Sequence, residues 1–212
     1  MNALPFMASM GGVLAVEVGI RFLHLSPLLL IGFARCVEIL VILLIFYVSK
    51  NGVSAVGLSR HRMIRGIRNG LIWSAGFGVL ASLGGVILFL WGMDPVALIH
   101  VGLPQTRSGV VLFFVVGGVI APIAEEIFFR GVIYGFLRRS VFGGMNHWGL
   151  WPALIISTAL FVMAHQVGSG IPLPQLVGGV VFCLAYEIEK SLFTPIIIHS
   201  LGNLALFTLS CF

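Results

Sequence analysis

Apolar residues run through this chain in long unbroken blocks divided by short polar stretches, and nowhere in the strict alternation of a half-buried strand. Seven blocks approach the roughly 20 residues needed to cross a hydrocarbon core of about 30 Å. They run from about Ala3 to Ile20, Ser26 to Val48, Leu71 to Trp91, Val110 to Leu137, Trp148 to Gln166 or somewhat beyond, Pro174 to Ile188, and Phe193 to Phe212. Continuous runs of this length argue against a membrane barrel, whose strands alternate with period two. The pattern predicts an all-α polytopic membrane bundle of about seven transmembrane helices, with residues 1–212 forming a single membrane-embedded domain. The first and sixth blocks carry the weakest signal, because one contains Pro5 and Glu17 and the other is short. The stretch from Met1 to Ile20 opens without Lys or Arg, so it reads as a retained span rather than a cleaved signal peptide.

Composition supports that solvent. Apolar residues make up 59% of the 212 and charged residues 9%, with a mean hydropathy of +1.12, against about 25% charged in soluble domains. Cys36, Cys183 and Cys211 all lie in apolar runs without CxxC spacing, which points to neither a disulfide framework nor a zinc knuckle. Lys50, Arg60, Arg62, Arg65 and Arg68 place five of the twelve basic residues in the one long polar stretch, Ser49 to Asn69, and Arg138 and Arg139 follow the fourth block. Both segments read as cytoplasmic by the positive-inside rule, which puts the N-terminus inside. The net charge of +5 is then a topology signal, and nucleic acid is not an expected partner. Small-xxx-small pairs at Gly66 and Gly70 and at Gly131 and Gly135, with Gly76, Gly78, Gly84 and Gly85 in the third block, are expected to let backbones approach closely.

Ionisable residues inside such blocks are costly and are functional candidates by default. Glu125 and Glu126 are adjacent near the middle of the fourth block, in Ala121-Pro-Ile-Ala-Glu-Glu-Ile-Phe-Phe-Arg-Gly131. On a helix Glu126 shares a face with Arg130, while Glu125 points about 100° away, so one carboxylate is neutralised locally and the other faces something else. His165 and His199 supply candidate partners, with Asn203 one turn beyond His199 on the same face. A histidine alone in a membrane helix is usually a packing residue. Two histidines, an amide and a carboxylate pair at similar depths make a site. Glu17, Arg35 and Glu38 read as mutually neutralised, and Glu187, Glu189 and Lys190 as a solvated loop. Ser157 and Ser200 read as hydroxyls bonded back to their own helices.

These residues form three spaced motifs: EExxxR at Glu125 to Arg130, FxxxH at Phe161 to His165 and HxxxN at His199 to Asn203. In this order on successive apolar blocks, they resemble the CPBP membrane proteases, also called the Abi family, which include the type II CAAX prenyl endopeptidases. The resemblance covers residues 110–210, expected to be a catalytic core. It implies a glutamate-dependent intramembrane endopeptidase in which Glu125 activates a water, His165 orients it or shuttles its proton, and His199 and Asn203 donate to the oxyanion. Glu126 and Arg130 would support the site. No cofactor is implied, and the partners are the bilayer and a membrane-associated protein or peptide. Prenylated C-terminal peptides, leader peptides and C-terminal sorting segments all remain open as substrates, as does any partner subunit. The expected location is a prokaryotic inner membrane.

Other classes stay open at this point. Two histidines and a carboxylate can bind Zn²⁺ or Fe²⁺, although HExxH is absent. Some relatives act as scaffold or bacteriocin-immunity proteins, and a transporter could use the same residue types for proton coupling.

Overall fold

A computed structural model of the chain describes residues 3–50, 52–165 and 172–212. Helix α1 (Ala3–Gly19) closes in a 3₁₀ turn, Ile20–Phe22. Helix α2 (Pro27–Val48) starts at a proline, whose missing N–H costs nothing in a first turn. Helix α3 is Met63–Leu90, and it stops at Trp91, followed by Gly92 in the left-handed region at φ 78°. The central rod starts as α4 (Arg107–Val115), capped by the Thr106 hydroxyl, which accepts from the Gly109 N–H at 3.1 Å. It continues through α5 (Ala121–Glu126) to Val141, 35 residues without a break. Helices α6 (Leu150–Ala164), α7 (Leu173–Glu189) and α8 (Phe193–Leu209) complete the bundle, and no described residue is in a strand.

The rod is not a uniform α-helix. Pro122 has no N–H to bond back along the chain, and its ring crowds the preceding turn. The backbone widens over Val116–Ile120 to an i→i−5 turn in which the Ala121 N–H reaches the Val116 carbonyl. Wide turns recur over Ile127–Tyr134 and Leu137–Val141, so the two adjacent glutamates end a short α segment between wide ones.

The polytopic helical bundle is as expected, with two differences. All seven predicted helices are present among the described residues, but five helical segments are long and apolar enough to cross a membrane: Ala3–Phe22, Pro27–Val48, Val53–Leu90, Arg107–Val141 and Gly143–Ala164. Helices α7 and α8 have 17 residues each, about 26 Å at 1.5 Å per residue and short of a full crossing. The fifth predicted span reaches Gln166, which lies outside the described residues. Helix α3 also begins at Met63, eight residues before the predicted Leu71, so Arg65 and Arg68 are helical. No breaker separates Met63 from Leu71, and the early turns pack on the start of α8. A methyl at Gly70 would meet the Ile197 side chain at 2.8 Å, and one at Gly66 would strike Ser191. Gly76, Gly78 and Gly84 have nothing within 4 Å, so close approach holds for the first pair and not for these.

The buried core surrounds the rod's second half. Ile127, Val132 and Tyr134 pack with Ile42, Phe46 and Cys183, while Phe129 and Ile133 pack with Phe161 and Phe182. Helices α6, α7 and α8 pack in succession against that side, and α3 lies along α8.

Candidate functional site

The two glutamates diverge as their 100° separation requires. Glu126 is fully buried beside an equally buried Arg130, whose Nη1 lies 3.0 Å from Oε1. Arg130 is further held by aromatic faces, with its guanidinium carbon 4.3 Å from the Phe161 ring centre and 5.1 Å from that of Phe182. Its Nη2 donates to the Gly179 carbonyl at 3.4 Å. A buried charge needs this density of partners, because an unmatched guanidinium in such a setting costs several kcal/mol.

Glu125 faces the histidines. Its Oε2 lies 3.3 Å from Nε2 of His165 and 3.7 Å from Nε2 of His199. The other ring nitrogens fix what those two can do. Nδ1 of His165 is 2.8 Å from the Phe161 carbonyl, and a carbonyl only accepts, so Nδ1 carries a proton. Nδ1 of His199 is 2.8 Å from Oε1 of Glu126, the same oxygen that Arg130 engages, so it donates as well. Both Nε2 atoms are therefore left to exchange protons at Glu125. A ring stack of His199 on Phe182, 4.6 Å between centres at 21°, holds the imidazole in that orientation.

Four of the six predicted residues thus converge directly, and Arg130 joins them through Glu126. Asn203 sits differently: its Nδ2 donates to the Gly117 carbonyl at 2.8 Å. That carbonyl is the i−5 partner that Pro122 cannot serve, so Asn203 supplies the N–H the proline lacks. Ser157 likewise crosses to the rod, donating to the Phe129 carbonyl at 3.2 Å, instead of bonding back to its own helix as expected.

A cavity of about 230 Å³ opens onto Glu125 and His165, walled by Phe128 and Phe129 of the rod and by Val13, Glu17 and Arg35 of α1 and α2. Arg35 bridges Glu17 at 3.0 Å and Glu38. The predicted neutralisation among these three holds, and Glu17 and Arg35 also line the cavity of Glu125. The expected solvated loop is a correction: Glu187 and Glu189 lie on the last turn of α7. Glu187 contacts Tyr134, Arg138 and Lys190 at 2.8, 3.2 and 2.9 Å, and Glu189 accepts from Asn69 at 2.6 Å. Among the described residues, no group of three His, Cys, Asp or Glu side chains is arranged to hold a metal ion.

Comparison with known proteins falls on this half of the chain. A family model described as type II CAAX prenyl endopeptidase Rce1-like matches residues 107–205. The membrane-embedded CAAX protease MroQ of Staphylococcus aureus (strain USA300) is 38% identical over 94 residues, which is 44% of this chain and 36% of that relative's length. No solved structure matches. The family-model match takes in Glu125, Glu126, Arg130, His165, His199 and Asn203, and over this stretch the chain is similar to that family.

Proposed function

We propose that this integral membrane protein is an endopeptidase that hydrolyses a peptide bond of a membrane-associated protein or peptide with a water activated by Glu125. One observation carries the reading: a carboxylate that faces a cavity is flanked by two imidazole Nε2 atoms whose Nδ1 protons are both engaged elsewhere. The cavity has room for a water beside the carboxylate.

In the reaction, the water adds to the peptide carbonyl carbon as one of its protons passes to Glu125. His165, within reach of the same oxygen, shares that proton and returns it to the leaving amine as the C–N bond breaks. His199 presents Nε2–H to the oxyanion when it is protonated. Its Nδ1–H bond to Glu126 then stabilises the imidazolium, the part a buried aspartate plays in a serine-protease triad. Asn203 holds the rod at Gly117 with one amide N–H, and its second N–H remains for the oxyanion. The basic segments around Arg60 to Arg68 and Arg138 to Arg139 support a cytoplasmic location for these ends by the positive-inside rule.

Glu125→Gln keeps the shape but accepts no proton, so cleavage should fall by about 10²- to 10⁴-fold with the melting temperature unchanged. Protein termini compared between cells carrying wild type and this variant would also reveal the substrate. Near wild-type cleavage by the variant refutes the general-base role. Loss of activity with chelator, restored by Zn²⁺, would favour a metal-dependent site instead.

A further inference from the structure

The second cavity, about 460 Å³, lies at the far end of the rod, roughly 20 Å beyond Glu125 by helical rise. Arg62, Arg138, Arg139 and Lys190 line it, against one carboxylate, Glu187. Four chain segments deliver these charges: the turn before α3, the end of the rod, the last turn of α7 and the residue after it. Most of the groups are fixed in place. Arg62 Nη1 donates to the Lys190 carbonyl at 2.9 Å. Arg139 donates to the Gly135 and Ala55 carbonyls at 2.9 and 2.7 Å. Glu187 takes Arg138, Lys190 and the Tyr134 hydroxyl together. Lys190 itself adopts a left-handed conformation, φ 51°, which ends α7 and turns its side chain to the cavity.

A topology signal needs basic residues in a loop and no more. Here the side chains of Arg138 and Glu187 are only 20% and 18% exposed, and the cations converge on a shared space with an excess of three positive charges over Glu187. Such a cradle suits an anion with several acceptor oxygens, because a guanidinium has five N–H donors and Arg62 spends one of them on the Lys190 carbonyl. The cavity also sits where apolar side chains meet polar ones. Ile64, Val141 and Ile188 are 78%, 52% and 63% exposed, each within two residues of a cavity-lining charge. They offer a surface for an acyl chain beside the anion.

We infer that this cavity binds a phosphate group, presented as the headgroup of an anionic phospholipid. The inference does not rest on the peptidase reading. The test uses full-length purified protein in micelles, with native mass spectrometry counting retained lipid and melting temperature recorded, for phosphatidylglycerol, phosphatidylcholine and inorganic phosphate. Wild type should retain phosphatidylglycerol over phosphatidylcholine. The combined Arg62→Gln and Lys190→Gln variant should lose that retention by about tenfold or more, while Arg60→Gln and Arg68→Gln, outside the cavity, keep it. These substitutions leave Arg138 on Glu187, and a melting curve confirms a folded variant. A response to inorganic phosphate that needs Arg62 and Lys190, without lipid retention, upholds the phosphate site and assigns it a soluble ligand. Equal retention of both lipids, or retention unaffected by the double variant with no phosphate response, overturns it.

Discussion

Helix α3 and the central rod are both long, strongly apolar and able to cross a membrane, yet they are used in opposite ways. Of the 28 residues of α3, only Gly66 and Gly70 are buried, and its later turns carry exposed Val79, Leu80, Leu83, Val86, Ile87 and Phe89. The rod buries Val116, Ala124, Ile127, Val132 and Tyr134 together with Glu126 and Arg130. Hydropathy alone does not separate them. The difference lies in charged groups at mid-length: the polar side chains by which α3 reaches another helix, Asn69 and Trp73 on Glu189, lie in its first half and none is charged, whereas the rod has two acids, an arginine and a carbonyl freed by Pro122. Lipid can solvate the first helix but not the second, so the second draws protein around itself.

If polar demand organises the rod, removing one member of its buried pair should do the largest damage. Glu126→Gln leaves Arg130 uncompensated and His199 without its carboxylate, and should cost about 3 to 5 kcal/mol of stability, read as thermal unfolding in detergent. It should also lower turnover through His199. Unchanged melting would mean that the pair does not hold the rod.

Next in size is Asn203→Ala, which strands the Gly117 carbonyl and should cost about 1 to 3 kcal/mol. The Pro122→Ala background restores the missing N–H, so the stability loss there should be much smaller. A turnover loss of about 10²-fold that persists in the double variant would assign the second amide proton to the oxyanion. Full recovery of both quantities would leave Asn203 as a positioning residue alone.

The smallest effects contrast α3 with itself. Gly70→Ala drives a methyl into Ile197 and should lower stability by about 1 to 3 kcal/mol, whereas Gly76→Ala meets nothing and should be neutral or raise it by about 0.5 to 1 kcal/mol. Equal responses in thermal melts would show that α3 is not seated on α8.

Much of the site was legible because the membrane makes polar residues conspicuous. Glu125, Glu126, Arg130, His165 and His199 stand out against apolar neighbours, and helical spacing alone separates the two acids. The wide turns were not legible: nothing local in Gly117 to Gly131 distinguishes i→i−5 from i→i−4 bonding, so the roles of Asn203 and Ser157 as donors to carbonyls of the rod depend on tertiary contact. The second partner of Glu126 is 73 residues away. The start of α3 was missed because charged residues at Arg65 and Arg68 imitate a loop when read by polarity. The cluster at Glu187 was missed for the same reason.

The bond from Asn203 to Gly117 also bears on how the protein is made. The rod is synthesised and threaded into the bilayer well before α8 emerges, so its Gly117 carbonyl and the Glu126 oxygen that receives His199 spend that interval without their final partners. Helix α8 is short and carries both a histidine and an amide inward. Its arrival completes the rod, so a chain that ends before His199 leaves both the Gly117 carbonyl and the buried Glu126 oxygen short of a partner.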